Sequence, residues 1–191
     1  MLSRIYLTVA LVIAVCCSVV MADEATVSSR IEKTPAGERI LIEEVELNAP
    51  LARVWRAYTT SEGWMGWAAP KAEVELKVGG SIATQYDPEA NIGDPGTNRL
   101  QIVNYVPQRL LTLRADISEN WPEVMKEDAD NLSNVILFEA VSPTVTRIQS
   151  YGIGYRDVPD YDRLMEFFVS ANVPLYEKLR QYVERESAVA E

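Results

Sequence analysis

Histidine is absent from the 191-residue chain, and its only two cysteines, Cys16 and Cys17, lie next to each other near the N-terminus. Ser-His-Asp triads, Cys-His pairs and zinc sites that use histidine are therefore excluded. Cleavage after Ala22 would also remove both cysteines, and the remaining domain would have neither a disulfide nor a thiol nucleophile. Any catalysis would have to use carboxylate, tyrosine, lysine or arginine side chains.

Positive charge is also scarce. The chain has 18 Lys and Arg residues against 28 Asp and Glu residues, which gives a formal net charge of −10. Nucleic acids and anionic membrane surfaces are bound through clustered Lys and Arg, so we predict neither of these partners. The length suits a single domain that buries its own core, and the sequence leaves the oligomeric state open.

The first feature that the sequence does contain is a targeting segment. Arg4 precedes an apolar run from Ile5 to Met21, and Val20-Met21-Ala22 offers a cleavage site. We predict that residues 1–22 are a signal peptide and that the domain is periplasmic or secreted, with no membrane contact after cleavage. The alternative is an uncleaved membrane anchor, because the apolar run is long for a signal core and close to the lower limit for a span.

The pattern of the sequence changes near residue 38. Residues 23–37 are polar and are interpreted as a flexible leader, although Arg30–Thr34 could pair loosely at a sheet edge. Residues 38–186 carry the apolar periodicity of strands and helices and are interpreted as one domain. Residues 187–191 form a short tail.

The order of elements within this domain predicts an α+β fold. A strand that ends at Leu47 precedes two short helices, six strands in three hairpins, and a long helix from Asp160 to Glu186, in which Pro174 predicts a kink. Apolar residues at steps of three and four predict that the long helix packs against a curved antiparallel sheet. This apolar stripe consists of Leu164, Phe168, Ala171, Leu175, Leu179, Tyr182 and Val183.

One stretch, NAPLARVWRAYTTSEGWMGW from Asn48 to Trp67, carries a family resemblance. Its Ala-Pro, Val-Trp and closing Trp, together with Val78–Gly80, Pro107 and the end of the last helix, resemble the START-like (SRPBCC) superfamily. The most similar branch is the one related to the C-terminal domain of the heat-shock-protein ATPase activator. The resemblance implies a helix-grip fold with a cavity between the sheet and the C-terminal helix. It leaves function open, because the superfamily includes lipid carriers, hormone receptors, cyclases and chaperone regulators.

The implied cavity gives a set of candidate site residues. Aromatic side chains there would suit a flat or apolar ligand, and the alternative is that they belong to the ordinary core. Trp121 is the strongest candidate, because a Trp-Pro pair in a polar loop has little packing to do. The predicted lining consists of Trp64, Trp67, Tyr86, Trp121, Glu139, Tyr151 and Phe168.

Glu139 is the acid that stands out, because it interrupts the apolar run VILFEAV. If its face lines the cavity, it is a candidate acid or base; if it faces water, it pairs with Arg147 on the facing strand. The neighbouring acids Glu43 and Glu44 point to opposite faces of a strand and are interpreted as solvated edge carboxylates. The acidic loop around Asp128 lacks a calcium-loop spacing and is interpreted as a solvated charge run, so we predict no metal and no cofactor.

The function predicted first is the binding of a small hydrophobic or aromatic molecule without chemistry. One alternative is a cofactor-free lyase or cyclase in the same cavity, and another is a protein-interaction module that resembles a co-chaperone. A cavity lined only by apolar groups favours binding, and a cavity that contains an unpaired Glu139 or a tyrosine hydroxyl favours the enzyme. A sealed core favours the interaction module.

Overall fold

The computed structural model describes residues 27–117 and 121–187. The predicted signal peptide, residues 1–22, lies outside the described residues, as do 23–26 of the leader and 188–191 of the tail. The strands are β1 (Ser28–Lys33), β2 (Arg39–Leu47), β3 (Lys71–Val74), β4 (Ser81–Gln85), β5 (Asn98–Val106), β6 (Leu110–Ala115), β7 (Ser133–Ser142) and β8 (Val145–Tyr155). The helices are α1 (Leu51–Thr59), α2 (Ser61–Trp67), α3 (Glu123–Glu127) and α4 (Asp160–Ser187).

All of these strands form one curved antiparallel sheet in the order β1-β2-β8-β7-β6-β5-β4-β3. The helix α4 packs across its concave face and contacts α1, α2, β1 and β2. The predicted α+β fold, with two short helices early in the domain and a long C-terminal helix, is confirmed. Within the described residues, no helix is long and apolar enough to cross a membrane.

The N-terminal part of the domain corrects one prediction. Residues 23–37 were interpreted as a flexible leader in which Arg30–Thr34 could pair loosely at a sheet edge. Ser28–Lys33 in fact form the regular edge strand β1. This strand pairs with β2 along its whole length, from Ser28 opposite Glu44 to Lys33 opposite Arg39. The strand is polar and largely exposed, which is why its composition resembles that of a leader. Its presence means that β2 is an interior strand of the sheet.

The two short helices are held together by a close backbone contact. A side chain at Gly63 would place its Cβ 2.5 Å from the carbonyl oxygen of Arg56, so only glycine allows this approach of α2 to α1. Thr60 caps α2, because its hydroxyl accepts a hydrogen bond of 3.0 Å from the backbone N–H of Gly63. The helices therefore form a rigid corner beside the concave face.

Two tryptophans of α2 link it to α1 through hydrogen bonds. The indole N–H of Trp64 donates to the carbonyl oxygen of Tyr58 at 2.7 Å, and that of Trp67 donates to the carbonyl oxygen of Ala57 at 3.0 Å. Their polar groups are thus satisfied by α1, and their rings are free to pack. Tyr58 also packs edge-on against Phe138 of β7, with ring centroids 5.3 Å apart, which joins the corner to the sheet.

The buried stripe of α4 matches the predicted one at Leu179 and Val183 and lies one position away from it earlier in the helix. There Met165 and Tyr176 are buried, whereas Leu164 and Leu175 are half-buried. Ala171, which was predicted to face the sheet, is exposed, and the half-buried Asn172 takes that place. Neighbouring positions both keep steps of three and four, so the periodicity alone does not separate them.

The short helix α3 is tied to the start of α4 by a buried acid. Asp128 is 5% exposed, accepts a hydrogen bond of 2.9 Å from the hydroxyl of Tyr161, and lies 2.7 Å from Nε of Arg156. The interpretation of this acidic loop as a solvated charge run is therefore wrong for Asp128. The contact holds the segment after Trp121 against the open end of the concave face.

Candidate functional site

Between the concave face of the sheet and α4 lies a cleft that has three parts. The α2-side chamber has a volume of about 200 Å³, the α3-side chamber about 250 Å³, and the outer mouth about 520 Å³. Leu100 and Asn172 line all three parts, and Glu43 and Asn134 line both chambers. The three parts therefore meet at one place, on the inner side of α4.

Five of the seven predicted site residues lie along this cleft. Trp64, Trp67 and Tyr86 line the α2-side chamber, whereas Trp121 and Phe168 line the α3-side chamber. Tyr86, Trp121 and Phe168 also line the mouth. The two inner tryptophans belong to the buried core as well, so they act as both core and wall.

The other two predicted site residues do not line the cleft. Glu139 is 62% exposed, and its carboxylate lies 3.2 Å from the guanidinium of Arg147. Tyr151 lies on the outer face with Arg147, because strand β8 alternates and turns Ile148 and Ser150 inward. Placing either side chain in the cavity is therefore wrong. The apolar residues of β7 occupy both faces, which hid the alternation around Glu139.

The acid that does lie in the cleft is Glu43, which was interpreted as a solvated edge carboxylate. It is only 3% exposed, because β1 covers the edge of β2 and α4 covers the inner face. Its Oε2 accepts a hydrogen bond of 3.1 Å from the side-chain amide of Asn172. Its Oε1 is buried and has no hydrogen-bond partner among the described residues.

Burial sets the chemistry of this carboxyl group. Removal from water raises the pKa of Glu43 to about 7, and the hydrogen bond from Asn172 opposes the shift without cancelling it. Among the described residues that line the two chambers there is no lysine or arginine. Glu43 therefore titrates near neutral pH, and the described residues that line the chambers provide no cation to balance its charge.

Hydroxyl and amide groups surround Glu43 on the concave face. Ser150 is opposite Glu43 in the strand register, and its hydroxyl donates to the side-chain oxygen of Asn134 at 2.8 Å. The hydroxyls of Tyr58 and Tyr176 share a hydrogen bond. Burial raises the pKa of both tyrosines, and the charge of Glu43 adds to the effect. Both phenols therefore stay neutral at physiological pH.

The alternation of β2 could have predicted that Glu43 is buried. Positions 41, 43, 45 and 47 share one face of the strand, and Leu41, Val45 and Leu47 are apolar, whereas two of the other four positions are acidic. An acid within the more apolar set is a buried acid.

The arrangement of groups in the cleft can bind an apolar molecule and accept or donate one proton. No group of three or more Cys, Asp or Glu residues within the described ranges could hold a metal ion.

Comparisons with known proteins agree with this architecture. The sequence profile of the family described as activator of Hsp90 ATPase homolog 1-like protein matches residues 48–184. No curated protein sequence matches the chain.

Solved structures with a similar fold come from several bacteria. Protein MLL2253 from Mesorhizobium loti has a TM-score of 0.60 at 20% identity and covers 77% of this chain and 98% of its own. Protein NE0264 from Nitrosomonas europaea has a TM-score of 0.58 at 22% identity, covering 78% and 96%. The Aha1 dimer from Colwellia psychrerythraea has a TM-score of 0.57 at 14% identity, covering 75% and 96%. At these identities the likeness supports the fold alone.

The family profile begins at the residue before Ala49-Pro50 and ends near the end of α4, so it includes both short helices, strands β3 to β8 and most residues of the cleft, whereas β1, β2 and Glu43 lie outside it. It spans more than half of the chain. The protein therefore belongs to the activator of Hsp90 ATPase homolog 1-like family of START-like, helix-grip proteins.

Proposed function

We propose that this protein is an exported domain that binds one small, largely apolar molecule in the cleft between the sheet and α4. The observation that carries the proposal is the cleft itself, in which two chambers with aromatic walls share lining residues with a common mouth. The mouth alone, at about 520 Å³, lies within the roughly 300–1,000 Å³ of ordinary small-molecule sites.

The walls of the cleft support a ligand with a flat apolar body. The indole N–H groups of Trp64 and Trp67 donate to backbone carbonyl oxygens of α1, so the ring faces offer apolar surface to the chamber. Trp121 and Phe168 provide the same kind of surface in the α3-side chamber. Aromatic rings supply large contact areas, and buried polar groups such as Glu43 fix the orientation of a ligand.

The binding function is tested by filling the cleft. Leu100 is half-buried and lines all three parts, so Leu100→Trp should block the cleft, whereas Val78→Trp adds the same bulk at a site that is 66% exposed. Native mass spectrometry of the exported protein should show a retained small molecule in the wild type and in Val78→Trp but not in Leu100→Trp. A bare wild-type protein that also fails to bind a hydrophobic fluorescent probe would contradict the proposal.

The export of the protein is proposed from the sequence of residues 1–22, with its single Arg4 and its apolar run. The intact mass of the protein recovered from the periplasm or the medium should lack those 22 residues. Recovery of the full-length mass from the membrane fraction would favour the uncleaved anchor. Recovery of the full-length mass from the cytoplasm would contradict export altogether.

A second candidate function is proton-transfer chemistry in the same cleft. The observation that favours it is the free Oε1 of Glu43, on a carboxyl group with a pKa of about 7. In such a reaction the carboxylate takes a proton from the bound molecule and returns it at another atom. Exchange of ligand hydrogens for deuterium in heavy water, followed by NMR and lost in Glu43→Gln, would distinguish turnover from binding.

A further inference from the structure

The charges of the two inner chambers indicate the chemical class of the ligand. We infer that the bound molecule carries a protonated amino group, which donates a hydrogen bond to the free Oε1 of Glu43, on an aromatic or otherwise apolar body. This inference rests on the proposed binding function and deepens it. It is carried by a buried carboxylate that has one unused oxygen and no cation beside it in the chambers.

Electrostatics separates three classes of ligand. An anionic ligand would be repelled by ionised Glu43, and the described residues of the chambers offer no lysine or arginine to hold it. A neutral hydroxyl can donate to Oε1 but leaves the buried charge uncompensated. A protonated amine supplies both the hydrogen bond and the opposite charge, so its bond is the stronger charge-assisted kind.

Desolvation favours the amine further. A buried ion pair is usually costly because both ions must leave water. Here folding has already removed water from Glu43, which is 3% exposed before any ligand arrives. Only the amine must still be desolvated on binding, and the carboxylate gains a partner that the protein itself does not provide.

The aromatic wall suits a cation as well as an apolar body. The rings of Tyr58, Trp64 and Trp67 form a cluster in which the centroids lie 5.1 to 6.3 Å apart, and all three line the chamber that contains Glu43. Aromatic faces attract cations within about 6 Å of the ring centroid. The formal charge of −10 on the chain also favours the approach of cations.

The groups that face Glu43 make the pH dependence simple. Ser29 of β1 and Ser150 of β8 lie opposite Glu43 in the strand register. The other groups that face it are Asn172 and Tyr176 from α4, Tyr58 from α1 and Tyr155 from β8. Burial raises the pKa of Tyr155 to about 12, and the other two tyrosines are shifted upward as well. The charged residues of the mouth are Arg99, Asp116 and Lys178. The tyrosines that face Glu43 therefore stay neutral between pH 6 and pH 8, whereas Glu43 titrates in that range.

The direction of the effect follows from linkage. Below the pKa of Glu43, an amine must displace a proton from the carboxyl group in order to bind, which weakens its affinity. Because that pKa is about 7, affinity for an amine should be about tenfold weaker at pH 6 than at pH 8. An alkylamine stays protonated over this range, so the change reports on the protein.

The test compares three probes of the same shape by isothermal titration calorimetry on the mature wild-type protein: 2-phenylethylamine, 2-phenylethanol and 3-phenylpropanoate. We expect the amine to bind most tightly at pH 8 and to lose about tenfold in affinity at pH 6, while the alcohol does not weaken. In Glu43→Gln, affinity for the amine should fall by about 30-fold or more, and affinity for the alcohol by less than about threefold. The exposed Glu139→Gln is the matched control and should bind like the wild type.

The outcomes separate this inference from the function on which it rests. If the hydrophobic fluorescent probe binds and Leu100→Trp abolishes its binding, but the amine binds no better than the alcohol, the amine inference is overturned and the cleft function stands. If neither that probe nor any of the three compounds binds, the cleft function fails, and the amine inference fails with it. Should Glu43→Gln not fold, the ranking of the three compounds and the pH dependence in the wild type still decide the question.

Discussion

Replacement of Glu43 by glutamine should stabilise the free protein at pH 8. At that pH the wild-type carboxyl group is ionised and 3% exposed, and the described residues that line the chambers provide no cation beside it. Burial of such a charge is unfavourable. Glutamine keeps the shape of the side chain and an oxygen that can accept the hydrogen bond from Asn172. Its amide is neutral at every pH, so the variant resembles the protonated wild type.

The size of the effect follows from the pKa shift. The pKa of Glu43 rises from 4.5 to about 7 on folding, so between these two values the folded protein binds more protons than the unfolded chain. The contribution of Glu43 is therefore favourable at low pH and is lost as the pH rises through this window. Since one pKa unit corresponds to about 1.4 kcal/mol, the loss is about 3 kcal/mol once the pH exceeds 7. That is a large part of a typical stability of about 5–15 kcal/mol.

Urea denaturation of both proteins at pH 5 and pH 8 would measure the effect. The two free energies of unfolding should differ by less than about 1 kcal/mol at pH 5, and the variant should be about 3 kcal/mol more stable at pH 8. Glu139→Gln provides the control, because Glu139 is 62% exposed in its pair with Arg147. This control should differ from the wild type by no more than about 1 kcal/mol at either pH.

A difference between Glu43→Gln and the wild type that stays constant from pH 5 to pH 8 would refute the reasoning. It would mean that Glu43 titrates alike in the folded and unfolded protein, as a solvated carboxylate does. A variant that becomes less stable than the wild type at pH 8 would refute it more strongly. In that case the ionised form of Glu43 would have a stabilising partner.

Two further predictions concern the scaffold around the cleft. Gly63→Ala should lower the free energy of unfolding by about 2 kcal/mol in urea denaturation, because its Cβ would lie 2.5 Å from the carbonyl oxygen of Arg56. An unchanged free energy of unfolding would show that α1 and α2 separate easily. Tyr161→Phe should lower the free energy of unfolding by about 2 kcal/mol in the same assay, because it removes the hydroxyl that donates to Asp128 at 2.9 Å. The control Tyr86→Phe, at a side chain that is 55% exposed, should leave the free energy of unfolding nearly unchanged.

The sequence was sufficient to predict the architecture because its local signals agree with one another. Strand alternation predicts the sheet, the long amphipathic stretch predicts α4, and Asn48 to Trp67 predicts the family. The edge strand β1 was harder to predict. Its residues are nearly all exposed, and a strand without an apolar face has the composition of a loop.

The faces of the elements were predicted less well than the elements. A shift of one position along α4 exchanges Ala171 for Asn172 and brings an amide into the cleft instead of a methyl group. On β7, apolar side chains on both faces concealed that Glu139 points outward. Periodicity fixes the type of an element, whereas the face that becomes buried depends on the neighbours that pack against it.

The described residues include two buried acids, Asp128 and Glu43, which differ in what their burial does for the fold. Asp128 is 5% exposed and is paired with Arg156 and hydrogen-bonded to Tyr161, so its burial joins α3 to α4. Glu43 is buried as deeply, has a single hydrogen bond from Asn172, and joins no elements that the apolar core does not already hold. Glutamine could make the same hydrogen bond without the unfavourable charge. A stability requirement therefore explains Asp128 but not Glu43, and the amine ligand that we propose would account for an acid at that position.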